Sequence, residues 1–129
     1  MSLKDKIKTP DKLVDQQGAK LLVYGQAGAG KTFSTQTMPG RVLVISAEAG
    51  LLSIKDAPNV SAIAVSNYDD LREVYAALKS GELVYDSVCL DSVSEISEIL
   101  LVHEKSRNKD GRMAYQNVSE AVTSLLRSF

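Results

Sequence analysis

The sequence predicts an α/β domain with a mainly parallel sheet flanked by helices. Short apolar runs alternate with amphipathic segments, and glycine, proline or capping residues punctuate the joins. The apolar runs are also nearly continuous, the pattern of strands covered on both faces.

Residues 1–18 form a polar lead-in, in which Lys4, Lys6, Lys8 and Lys12 alternate with Asp5, Asp11 and Asp15. The regular core is read over 19–129. Ala19 to Gly25, "AKLLVYG", is a buried parallel strand, and "KTFSTQTM" a helix stopped by Pro39 and Gly40. Arg41 to Glu48 is a second strand, "GLLSIKDA" a short turn or helix, and Val60 to Val65 a third strand. Next comes an amphipathic helix. Ser66 or Asn67 caps it, Leu71, Val74, Tyr75 and Leu78 share one face, and Gly81 ends it. Tyr85 to Ser92 is the fourth strand. The helix "VSEISEILLVHEK" carries Val93, Ile96, Leu100 and His103 near one face. "SRNKDGR" reads as a loop, and the final helix has Tyr115, Val118, Val122, Leu125 and Leu126 along its apolar stripe.

The totals exclude several classes. A chain of 129 residues makes one compact domain that buries roughly two thirds of its unfolded surface. A formal charge of -1 gives no global field toward nucleic acid or membrane, so any basic patch must be local. One cysteine, Cys89, rules out an internal disulfide, and with a single histidine it argues against a Cys/His zinc site. Its setting, "SVCLD", is that of a small buried hydrophobe. No apolar stretch reaches the roughly eighteen residues of a membrane span. The start, "MSLKDKIKTP", lacks the apolar core of a secretory signal, so a cytoplasmic location is expected.

One stretch does chemistry with its backbone. Gly25-Gln26-Ala27-Gly28-Ala29-Gly30-Lys31-Thr32 matches G-x-x-x-x-G-K-[ST], with a strand read before it and a helix after it. Small residues let successive amides approach an anion, and the following helix adds the positive end of its dipole. Lys31 can reach the β- and γ-phosphates, and Thr32 can place its hydroxyl on Mg²⁺. The binding set therefore runs from Gly25 through Lys31 and Thr32 to Phe33, with ATP and Mg²⁺ as the expected ligands. A dinucleotide fingerprint is excluded, because its third glycine would stand where Phe33 is.

A phosphate loop needs a carboxylate at the end of another strand. "VCLD" supplies Asp91 as the second metal residue beside Thr32, while Asp86 lies at the wrong end of that strand. To orient water, Glu48 in "VISAEAG" is the candidate, beside Lys31 in the catalytic set; Glu95 is a weaker substitute.

In this order of features the chain resembles the RecA-like ATPases among P-loop proteins. The cues are "YGQAGAGKT", then "SAEAGLLSI" with Glu48 where the family's catalytic glutamate lies, the "SNYDDLREVYAAL" helix, and "VCLDSVSEI" with Asp-Ser in place of Asp-Glu. Within that branch it is most similar to small phage-encoded nucleotide-binding proteins of the AAA type, linked to DNA recombination and single-strand annealing. The resemblance implies Mg²⁺-dependent ATP hydrolysis in the cytoplasm of a bacterial or phage-infected cell, and homo-oligomers. It also implies further strands after the last helix, one of them between the phosphate-loop strand and the Asp91 strand, so the sheet here is expected to lack its C-terminal strands. A DNA-binding loop in such proteins corresponds to "HEKSRNKDGR", with Lys105, Arg107, Lys109 and Arg112; a solvated linker is the equal alternative. Two alternatives stay open, a small P-loop kinase and a non-hydrolysing nucleotide-binding assembly module. A GTPase is rejected, because "NKDG" at Asn108 misplaces the aspartate of N-K-x-D.

Overall fold

A computed structural model describes residues 2–7, 9–10, 19–26, 28–48, 51–107 and 110–129. A single turn, α1 (Leu3–Lys6), precedes a 3-10 helix over Phe33–Thr37 and strand β1 (Val42–Ser46). A second 3-10 helix (Leu51–Ile54) leads to β2 (Val60–Ala64), α2 (Tyr68–Ser80), β3 (Ser87–Asp91), α3 (Val93–Arg107) and α4 (Gly111–Ser128).

The sheet has three strands in the order β2-β1-β3, all parallel. Ser46 stands opposite Ala64 on one side and Asp91 on the other, so all three strands end at one edge. The apolar run of β1 is explained by its central place, since all five of its residues are buried. Successive side chains take opposite faces. Leu43 and Ile45 join Val65, Leu71, Val74, Ile96 and Leu100 in the larger core, under α2 and α3. Val118, Val122 and Leu125 of α4 pack against that same cluster. Val42 and Val44 face the other way, onto Leu51 and Ile54 of the second 3-10 helix and Met38, which follows the first. Cys89 is half-buried against this second cluster.

Helix α2 follows its local signals closely. The Asn67 side chain accepts the Asp70 amide at 2.9 Å, and Gly81 ends the helix at φ 82°. Asp70 in turn accepts the amide and hydroxyl of Ser66 at 3.0 and 3.1 Å.

Four expectations need correction. Ala19 to Gly25 does not join the sheet: Leu21 is 86% and Tyr24 87% exposed. An apolar run states that a segment gains by burial but not which edge it pairs with, and β3 pairs only with β1 among the described residues. The segment is instead tied at its start, where the Lys20 ammonium donates to the carbonyls of Leu126 and Arg127 at 3.0 and 2.9 Å. The helix after Thr32 is a five-residue 3-10 helix. The stripe of α4 omits Tyr115 and Leu126, which are exposed, and includes the fully buried Ala114. The loop before α4 is shorter than read, because α3 runs on to Arg107 and α4 begins at Gly111, where the Asp110 carboxylate accepts the Arg112 amide at 3.0 Å.

Candidate functional site

The register of the sheet brings the candidate residues together. Asp91 ends β3 beside Ser46, and the ladder continues one step as the Ala47 amide donates to the Asp91 carbonyl at 2.8 Å. Glu48 follows at the same edge, where open α/β sheets bind their ligands. The Thr32 hydroxyl donates to Asp91 Oδ2 at 2.9 Å, a contact between residues 59 positions apart. The end of the glycine loop therefore sits on the end of β3, although the run before the loop lies outside the sheet.

In the loop, Gly28 and Gly30 have φ of 82° and 92°. A Cβ at either would meet nothing within 4 Å, so glycine is required there by backbone conformation and not by crowding. The Ala29 amide donates to the Gln26 carbonyl at 3.1 Å, and the Ser34 amide to the Gly30 carbonyl at 3.0 Å. The Lys31 ammonium folds back onto the Gly25 carbonyl at 2.5 Å. Phe33 opens the 3-10 helix with its ring half exposed. So short a helix adds little macrodipole, and individual amides and Lys31 carry what the loop offers an anion. Ala27, part of the expected binding set, lies outside the described residues.

Glu48 is held from two sides. The Ser46 hydroxyl, on a residue only 4% exposed, donates to the Glu48 carbonyl at 2.7 Å. The Ser92 hydroxyl donates to Glu48 Oε1 at 2.5 Å. Sequence reading missed both serines as site residues. The signal for Ser46 was a hydroxyl closing an otherwise apolar strand; Ser92 stood out only as a departure from Asp-Glu. Burial pushes the Cys89 thiol up from its ordinary value, and the negative charge of Asp91 adds to the shift.

Among the described residues no three His, Cys, Asp or Glu side chains cluster as a metal cage. Thr32 and Asp91 instead offer one hydroxyl and one carboxylate within hydrogen-bond distance. Such hard oxygen donors suit Mg²⁺, which keeps waters and takes phosphate oxygens to complete its shell.

The basic residues are arranged differently from a free loop. Lys105 and Arg107 stand in the last turn of α3 and Arg112 in the first turn of α4; Lys109 lies outside the described residues. Arg107 pairs with Glu104 at 3.9 Å. Lys105 lies 5.4 Å from the ring centroid of Tyr115, which is 60% exposed. An aromatic group therefore stands among these cations, supplied by the next helix. His103 packs as expected for a structural histidine, stacked on Tyr68 with centroids 3.6 Å apart.

Residues 17–129 match the model of the AAA domain family. The chain belongs to that family. An AAA domain of this kind is a P-loop nucleotide-binding module, and its members are in general ATPases that bind ATP with Mg²⁺. No curated protein and no solved structure matches the chain significantly. No helix among the described residues of this AAA domain is long and apolar enough to cross a membrane.

Proposed function

We propose that this AAA domain binds Mg-ATP at the C-terminal edge of its sheet and hydrolyses it. The observation that carries the reading is the 2.9 Å contact between Thr32 and Asp91, which joins the glycine loop to the strand-end carboxylate. The backbone from Gly25 to Phe33 surrounds the phosphates, and Lys31 exchanges the Gly25 carbonyl for the β- and γ-phosphate oxygens. Thr32 and Asp91 would hold Mg²⁺. When bound, that ion neutralises charge on the phosphates and orients them. Glu48 takes a proton from the attacking water as its oxygen bonds to the γ-phosphorus, and the bond from phosphorus to the β–γ bridging oxygen breaks. Lys105, Arg107, Lys109 and Arg112 supply phosphate contacts to single-stranded DNA, with Tyr115 available for base stacking. The resemblance to phage recombination proteins supports that partner, homo-oligomeric assembly, and action in the cytoplasm of an infected cell.

Calorimetry with Mg-ATP tests the binding site. Lys31→Ala removes one charge-assisted contact, about 1.5–3 kcal/mol, and so weakens affinity roughly 10- to 150-fold. Unchanged affinity in that variant would refute the assignment. Turnover with and without single-stranded DNA, at low and high salt, tests the partner; no stimulation at any salt removes it.

A further inference from the structure

The Ser92 hydroxyl lies where it does two things at once. As acceptor it receives the Glu95 amide at 3.4 Å, which makes it the N-terminal cap of α3. As donor it gives its proton to Glu48 Oε1 at 2.5 Å. A hydroxyl has one proton and two lone pairs, so both bonds are made without competition.

This matters because Glu48 is exposed and stands beyond the last residue of β1. A glutamate side chain there has several rotamers and no packing to choose among them. Its main chain is fixed by the Ser46 hydroxyl at 2.7 Å and by the neighbouring Ala47–Asp91 bond at 2.8 Å. Only its carboxylate remains to be aimed, and Ser92 does that. Because Ser92 directly follows Asp91, the same turn of chain fixes the proposed metal carboxylate and the proposed water-orienting carboxylate.

We infer that Ser92 is a positioning residue for hydrolysis: its hydroxyl holds Glu48 Oε1 and leaves Oε2 to the attacking water. The inference rests on the reading of Glu48 given above. Small errors in the placement of a base cost large factors in rate. Losing this single anchor should therefore lower kcat roughly tenfold or more, with nucleotide affinity unchanged.

Turnover and Mg-ATP affinity measured on the wild type, Ser92→Ala, Ser92→Thr, Glu48→Gln and the Ser92→Ala/Glu48→Gln double variant decide the matter. The expected pattern is low kcat at unchanged Kd for Ser92→Ala, recovery in Ser92→Thr, and a double variant no slower than Glu48→Gln alone. Ser92→Gly repeats the test if loss of the cap unfolds Ser92→Ala, since glycine is tolerated at helix caps. Wild-type turnover in Ser92→Ala with Glu48→Gln inactive overturns the role of Ser92 and leaves Glu48 standing. Wild-type turnover in Glu48→Gln removes both. A double variant slower than Glu48→Gln shows that Ser92 acts apart from Glu48, which also overturns the inference.

Discussion

Replacing Gly40 by alanine perturbs the end of the sheet opposite the site, where the pairing of β1 with β3 begins. Gly40 has φ 67°, a left-handed conformation, and an added Cβ would lie 2.5 Å from Asp86 Cγ and 2.6 Å from Asp86 Cβ. Asp86 is not free to turn away. Its Oδ2 accepts the Arg41 amide at 2.8 Å, and its own amide donates to the Arg41 carbonyl at 2.9 Å. Left-handed alanine costs roughly 1–2 kcal/mol. Giving up a hydrogen bond to a carboxylate adds about 1.5 kcal/mol, the low end of its range because the pair is exposed. The total is about 3 kcal/mol. Gly81 is the internal control, with φ 82° but no atom within 4 Å of an added Cβ, so alanine there carries only the conformational part. With a urea slope of roughly 2 kcal/mol per molar, the unfolding midpoint should fall about 1.5 M for Gly40→Ala and under about 1 M for Gly81→Ala. Equal shifts in the two variants would refute the crowding at Asp86.

Two further outcomes follow from single side chains. The hydrogen bonds from Ser66 and Asn67 hold the Asp70 carboxyl below its ordinary range, so its contribution is present above the unfolded-state value near 3.9 and fades as pH falls through the lower folded value. Asp70→Asn should therefore be less stable than wild type at pH 7 in urea unfolding, with the gap narrowing near pH 3; a constant gap contradicts this. Burial and the charge of Asp91 keep the Cys89 thiol protonated, so iodoacetamide at pH 8 should modify the folded protein far more slowly than the urea-unfolded chain. Equal rates would place Cys89 outside the second core cluster.

What could be read from the sequence alone was local. Asn67, Asp70 and Gly81 define α2 because a cap bond spans three residues and a left-handed glycine needs no distant partner. The positive-φ glycines of the loop belong to the same class. The placing of Asp91 at the end of β3 and of Glu48 just past β1 was also legible, because apolar strands end where polar residues begin. Tertiary structure decided which segments pair. Leu21 to Tyr24 carries a strand's composition but stays outside the sheet, while Val42 to Ser46 takes the central place. The contacts of Thr32 with Asp91, Ser92 with Glu48 and Tyr115 with Lys105 depend on register and helix packing, which no spacing along the chain encodes. Hydrogen bonds within a turn are fixed by local dihedral angles, whereas a ladder or a site needs a partner from elsewhere, and only the folded chain selects it.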